Sequence, residues 1–330
     1  MSNVIGFDLH GADKGMEVVI EGLSQYIKES KTTSNFKLFG NQEEAKPLLA
    51  KYGLDTNQNI EVVHTTEVIE NSEEPALALR RKKDSSMVVG ATALKKGNID
   101  CFVSSGSTGA LVASGIFIVG RIPGIERPAL GGLMPSSTKT RPTLILDLGA
   151  NVEAKPEHLV QYGTLGSQFM SSIYKLDEPK VALVNVGSED GKGSALYKDA
   201  FYGLKDEDIN FIGNVEAREV LTTEADVLVI DGFGGNILLK SIEGTVAVFN
   251  NELKKAFLKN VKTKLSALLV KDSLKQMKAG FDYRELGATP VFGVNGILLK
   301  AHGSSDSLAF KNAFRSADEM VDSNFLKNLK

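Results

Sequence analysis

VSSGSTGALVASG (Val103–Gly115) passes from the end of an apolar run, through a turn of glycine and hydroxyl side chains, into a small-residue helical pattern. Strand, glycine turn and helix in that order are the repeating step of a parallel α/β fold. The N–H groups that open such a helix, with Ser and Thr hydroxyls beside them, suit an anion, most often a phosphate.

Working outward, the same alternation recurs along the chain. Runs rich in β-formers, NVIGFD, NFKLFG, NIEVVHT, DCFVSS, TLILDLG, KVALVNVG, INFIGNV and DVLVIDGFG, are mostly followed by helical patterns such as KGMEVVIEGLSQYIKES and NQEEAKPLLAKYG. This predicts a largely parallel sheet with helices on both faces. In such folds the loops at the C-terminal ends of the strands carry the chemistry. Six strand ends are rich in Gly, Asn, Asp or Ser: Asp8–Asp13, Ser104–Gly109, Asp147–Asn151, Asn185–Gly193, Gly213–Glu216 and Asp231–Asn236. A glycine in any one turn ordinarily serves only the backbone. Six such loops on one sheet edge predict a shared polar pocket.

The chain of 330 residues carries 38 basic and 41 acidic side chains, a formal net charge of −3, so nothing attracts nucleic acid globally. One cysteine, Cys101, rules out an internal disulfide framework, fits a reducing compartment, and reads as a buried small hydrophobe in a strand. The four histidines lack metal-ligand spacing, and we expect no metal and no cofactor. The N-terminus lacks a secretory pattern and no apolar run reaches the ~18 residues of a membrane span, so a cytoplasmic location is expected.

No linker or repeat divides the chain, which predicts one α/β domain over residues 1–330. Residues 245–285 are expected to form a basic amphipathic helical extension to it. Between Asn251 and Lys278 eight lysines accompany only Glu252 and Asp272, and Phe249, Leu253, Phe257, Val261, Leu265 and Leu268 recur at helical spacing. The ordinary reading is a surface helix with this stripe in the core and a solvated lysine face. The functional one is a platform for anionic lipid or an acidic protein, with Leu253, Phe257, Val261, Leu265, Leu268, Lys254 and Lys262 as its contacts.

Three phosphate signatures fail on the loops. GSEDGKG lacks P-loop spacing, DLHGADKG lacks GxGxxG, and the kinase HRD and DFG motifs are missing. What remains is a pocket for a small anion. ALRRKKDSSMVVG, SSGSTGALVASG, LDLGANVEAKPEHLVQYGTLG, VALVNVGSEDGKG, FIGNVEAREV, DVLVIDGFGGNILLKSIEG and GVNGILLKAHGSS together resemble the bacterial acyl-acyl-carrier-protein:phosphate acyltransferases, in family order and over essentially the whole chain.

The resemblance implies a three-layer α/β/α sandwich with a mostly parallel Rossmann-like sheet, similar to phosphate acetyltransferases and to isocitrate and isopropylmalate dehydrogenases. A homodimer without cofactor is implied as well. It also implies transfer of a long-chain acyl group from acyl carrier protein to inorganic phosphate. The resulting acyl phosphate is passed to a glycerol-3-phosphate acyltransferase for phospholipid synthesis, with the enzyme peripheral to the membrane. Two loops depart from the family pattern. D-A-M-G-G-D is here Asp8 to Asp13 with Ala12 for a glycine, and S-A-G-N-T-G-A is here Ser104 to Ala110 with Ser107 for the asparagine.

Such a reaction needs no enzymic nucleophile, because phosphate can attack the thioester directly and positioning and charge stabilisation dominate. We expect Ser105, Gly106, Ser107, Thr108 and Gly109 to hold phosphate, with Lys192 offsetting its charge. Asn151, Asn214, Asn236 or amides near Gly234 and Gly235 would meet the oxyanion, and His302, near Lys300, would orient phosphate or serve as a structural donor. The basic run Arg80–Lys83 is an ordinary solvated helix face or a dock for an acidic carrier protein. Two alternatives stay open. One is a non-enzymatic adaptor that binds acyl carrier protein at the membrane surface. The other is a metal- and nicotinamide-dependent decarboxylating dehydrogenase, for which the few arginines show no substrate cluster.

Overall fold

The computed structural model describes residues 2–274 and 287–328. VIGFD is apolar on both faces, which suits a strand covered on both sides. It forms β1 (Val4–Asp8), inside, Val4 apart, a buried layer. Around it lie β2 (Asn35–Gly40), β3 (Ile60–His64) and β4 (Cys101–Ser104), all parallel to one another in the order β3-β2-β1-β4. β6 (Thr143–Leu146), β7 (Lys180–Asn185), β8 (Asn210–Glu216) and β9 (Val227–Val229) form a second parallel group, β6-β9-β7-β8.

Three short strands join the groups into one eleven-stranded sheet: β5 (Ala129–Met134), β10 (Thr289–Phe292) and β11 (Ile297–Lys300), placed β4-β11-β10-β5-β6. β11 continues the first parallel group beside β4, whereas the β11/β10, β10/β5 and β5/β6 pairs are antiparallel. The architecture is the expected α/β one with a mostly parallel sheet. The three reversals correct one expectation. After an odd number of reversals the second group runs opposite to the first. The loops after β1, β4 and β11 therefore gather at one end of the sheet, and those after β6, β7, β8 and β9 at the other. Of the six expected loops, Gly213–Glu216 lies within β8 itself, and the other five are divided between the two ends.

Helices close both faces. α1 (Met16–Ser30) and α10 (Ser307–Asp322) cover β1 and β2, where Phe7 stacks on Phe314 at 4.1 Å between ring centroids. Asp318 ties this layer to the N-terminal strands by accepting from Tyr26 Oη (2.5 Å), Ser34 Oγ (2.5 Å) and Thr32 Oγ1 (2.8 Å). On the other face α4 (Ser86–Lys95), capped by Ser85, brings Gly90 onto the Phe102 ring, where a Cβ would lie 2.1 Å from Cε2. Cys101 is fully buried.

α8 (Gly232–Leu258) and α9 (Val261–Leu269) correct the ordinary reading of the lysine-rich segment. Only Gly232 and Gly235 of α8 are buried, and α9 has no buried residue. Phe249, Val261, Leu265 and Leu268 are exposed, the last at 67%, so the apolar stripe lies outside the core. The end of the expected 245–285 extension, with Lys275 and Lys278, lies outside the described residues. Among the described residues no helix is long and apolar enough to cross a membrane.

Candidate active site

At the first end of the sheet, the loops after β1, β4 and β11 interlock. Ser104 Oγ donates to the buried Asp8 carboxylate (2.6 Å) and accepts from Gly106 N (3.0 Å), while Asp8 also accepts from His10 N (2.9 Å). Asp13 N donates to Gly303 O, and Ala301 N to Ser104 O. Gly11 is required by close approach, since a Cβ there would sit 2.3 Å from Gly106 N. Ala12 takes no left-handed backbone conformation, so the departure at that position leaves the turn intact.

The turn leads into α5 (Thr108–Ser114), whose N-cap is Ser107, accepting from Ala110 N. The amides that open the helix precede any in-helix acceptor. Ser105 is 3% exposed, and its Oγ is buried with no hydrogen-bond partner. His10 Nδ1 and Thr65 Oγ1 share that condition, which puts three orphaned polar atoms in the residues just after β1, β3 and β4. Buried polar atoms without partners carry a desolvation cost that a ligand relieves.

Lys300, at the end of β11, is partly buried, and its Nζ donates to Ser105 O (3.1 Å) and Ala301 O (2.5 Å). Burial lowers its proton affinity to about 8, against the opposing pull of Asp13 and Asp8, and Lys240 of α8 lowers it further. His302 meets Ser304 Oγ at 2.9 Å through Nδ1, and its Nε2 lies 3.9 Å from Glu243 Oε1. Burial, with Lys300 and Lys240 acting against Glu243, holds His302 below the ordinary imidazole value. Glu243 in turn pairs with Lys240 at 2.9 Å. Lys240 and Glu243, on a helix whose start lies at the other end of the sheet, are members of this site that sequence reasoning missed. The signal was the placement of α8, which no local pattern carries.

At the second end, Asp147 is fully buried and accepts from the amides of Leu130, Gly149, Ala150 and Asn151. Burial raises its carboxyl, with those amides opposing. Asn151 Nδ2 donates toward Pro128 O (2.6 Å), Asp147 Oδ2 and Tyr162 Oη. Gly232 and Gly235 let α8 start against this loop, since a Cβ on Gly235 would lie 1.9 Å from Asp147 O. Asp231 caps α8, accepting from Gly234 N (2.8 Å) and from the hydroxyl of Tyr197, a residue the sequence reading passed over. Asn214 Nδ2 donates to Glu189 O, while its Oδ1 accepts from Asn185.

These contacts tie most of the expected oxyanion donors to the loops themselves. Asn151, Asn214, Gly234 N and Gly235 N are already engaged in holding loops, the last by Asp231 O. Asn236 remains, exposed on the second turn of α8 and about 6 Å along the helix axis from Lys240. Lys192 follows β7, and its loop packs toward the start of α8: a Cβ on Gly193 would meet Tyr197, whose hydroxyl donates to the capping Asp231. Lys192 is exposed and sits 3.5 Å from Glu189.

A cavity of about 530 Å³ lined by Arg121, Glu126, Arg127, Lys155 and His158 also opens near the second end, away from the glycine turn. Its cations are partly engaged, with Arg121 donating to Glu126 O and His158 Nε2 3.2 Å from Glu126 Oε2. Its exposed rim lacks the orphaned atoms that mark the first end.

The family model described as "Fatty acid synthesis protein" matches residues 3–328. The phosphate acyltransferase of Exiguobacterium sp. is 43% identical over 326 residues, covering 99% of this chain and 98% of that protein. That of Clostridioides difficile is 45% identical over 309 residues, covering 94% and 90%. Among solved structures, a phosphotransacetylase from Streptococcus pyogenes superposes with a TM-score of 0.61 at 17% identity, over 97% of this chain and 94% of that one. A 4-hydroxythreonine-4-phosphate dehydrogenase from Klebsiella pneumoniae does so at 0.57 and 10% identity, over 97% and 98%. These two likenesses concern the fold, whereas the full-length sequence matches establish kinship: the chain belongs to the fatty acid synthesis protein family, together with these phosphate acyltransferases.

Proposed function

We propose that this protein transfers a long-chain acyl group from acyl carrier protein to inorganic phosphate, giving an acyl phosphate for phospholipid synthesis. The observation that carries the reading is the first-end cluster, where an orphaned Ser105 hydroxyl, the amides opening α5 and the Lys300 ammonium converge. Kinship with phosphate acyltransferases at 43–45% identity supports the chemistry. Phosphate held by Ser105, Gly106, Ser107, Thr108 and Gly109 attacks the thioester carbonyl. The carbon–oxygen bond forms, the carbon–sulfur bond breaks, and the proton carried by phosphate ends on the departing thiol. Asn236 is the side chain left to meet the developing oxyanion, and His302, held by Ser304 and Glu243, orients the phosphate side.

The acidic carrier docks beside this turn. Pro75, which opens α3 (Pro75–Arg81), lies against Gly109, where a Cβ would be 2.8 Å from Pro75 Cγ. Arg80 and Arg81 are exposed at the other end of this short helix. The stripe of α8 and α9, with half-buried Leu253 and Phe257 and exposed Val261, Leu265 and Leu268, flanked by Lys254 and Lys262, supports a peripheral seat on an anionic membrane. A second copy of the chain is the other partner, in a homodimer, and a glycerol-3-phosphate acyltransferase receives the product.

The test is incubation of purified protein with palmitoyl-acyl carrier protein and phosphate, followed by trapping of acyl phosphate with hydroxylamine. Palmitoyl hydroxamate formed only with enzyme and phosphate together supports the reading. Its absence from folded protein favours the adaptor alternative.

A further inference from the structure

The phosphate proposed above needs a fixed counter-charge, and Lys192 is an exposed side chain whose ion pair is with Glu189 of its own loop. We propose that Lys300 of β11 is that counter-charge and that Lys240 of α8 closes on the same phosphate, so that the anion is clamped between the glycine turn and the long helix. The inference rests on the reading of Ser105–Gly109 as the phosphate site.

Three observations carry it. An ammonium has three donors. Lys300 Nζ engages two of them, on Ser105 O and Ala301 O, which fixes its position against the turn and leaves the third for a ligand. The backbone it holds is that of Ser105, whose own hydroxyl is buried and unpartnered, so the cation and an orphaned donor belong to one small volume. Finally, Lys240 is led to the same place through Glu243, which it meets at 2.9 Å and which lies 3.9 Å from His302, two residues beyond Lys300. Two ammonium groups brought together repel, and Lys240 adds to the lowering that burial imposes on Lys300. A phosphate between them turns this repulsion into attraction.

The carboxylates of the site do not fill that role. Asp8 is engaged by Ser104 Oγ and His10 N. Asp13 and Glu243 act as the counter-charges that keep Lys300 and Lys240 together when phosphate is away. Arrival of phosphate therefore links α8 to the turn.

Lys300 faces Asp8, Asp13 and Lys240, with His302 held below its ordinary value and uncharged above neutral pH. A lysine lowered to about 8 is charged at pH 7 and discharges as pH rises through that value. Phosphate, which favours the charged form, then loses its partner.

The experiment is the rise in unfolding temperature of the full chain on titration with inorganic phosphate, against chloride at equal ionic strength. The wild type gains stability at pH 7, and the gain falls away above about pH 8. K300M weakens the apparent phosphate affinity on the order of 10- to 100-fold, as for loss of a charged hydrogen bond. K240M weakens it roughly 3- to 10-fold, as befits an exposed charge. Ser107→Asp keeps an N-cap side chain yet puts a carboxylate in the turn, and it abolishes the response. A full response in K300M, with Ser107→Asp silent, overturns the clamp and leaves the turn as the site. A full response in both removes the turn as the phosphate site, and the clamp with it. Should K300M not fold, a wild-type response that stays constant from pH 7 to 9.5 overturns the clamp.

Discussion

Asn151 and Ser105 both belong to glycine-rich loops and both invite a catalytic reading, yet their surroundings separate them. Asn151 is engaged three ways, bridging Pro128 O, Asp147 and Tyr162, whose hydroxyl is pushed above its ordinary value by burial and then by Asp147. Asn151→Ala removes a donor from a buried carboxylate and costs about 2–3 kcal/mol of stability, read as a lower midpoint in urea. A loss of turnover with an unchanged midpoint would instead return Asn151 to the chemistry. Ser105 is the opposite case. Its hydroxyl is buried without a partner, so Ser105→Ala leaves the phosphate-free protein as stable as before, or more stable by up to about 1 kcal/mol. The same variant weakens phosphate several-fold. Destabilisation of the phosphate-free form, by calorimetry, would show that the hydroxyl serves the fold. No sequence pattern separates the two residues, because the difference lies in what the fold brings to each.

At the scale of elements, α8 does two things along its length. Its first four turns touch both loop clusters, through Gly235 against Asp147 and Glu243 toward His302, while its distal half carries the apolar stripe. The helical spacing of that stripe was legible in the sequence. Its break was not, and it falls where Asn260 and Thr263 form a capping box that starts α9. Nor did spacing reveal which way the stripe faces, since a core-facing and a partner-facing helix share one pattern. Because the stripe lies outside the core, Phe257→Asp with Leu265→Asp leaves the unfolding temperature within about 2 °C. It removes salt-sensitive association with phosphatidylglycerol vesicles, measured by co-sedimentation. Retention of vesicle binding would place the membrane contact elsewhere, and a collapse in stability would place the stripe against the body.

The whole molecule turns on the strands whose patterns are weakest. The long apolar runs announced β1 to β4 and β6 to β9, and with them the α/β class. β5, β10 and β11 escape notice, and each has a reason. Two are four residues long, β10 carries Pro290, and β5 holds Gly131 and Gly132. Those glycines are needed because a Cβ would strike Phe292 at 2.4 Å and Leu148 at 2.0 Å. These three strands contain the reversals that send the second parallel group the other way. Periodicity gives a strand its faces but not its direction or its neighbours. The strand–turn–helix form of the glycine turn was therefore legible, whereas the neighbour it gains in Lys300 of β11 was not.

The central claim is that phosphate bound at that turn is itself the nucleophile. The measurement that meets it most directly is the release of carrier thiol from palmitoyl-acyl carrier protein in a single turnover, with enzyme in excess, with and without phosphate. The account predicts thiol release only with phosphate, and at least ~100-fold slower release in Ser107→Asp, since attack requires the bound anion. A burst of thiol without phosphate would mean that a side chain of the protein takes the acyl group first, and direct attack by phosphate would be wrong.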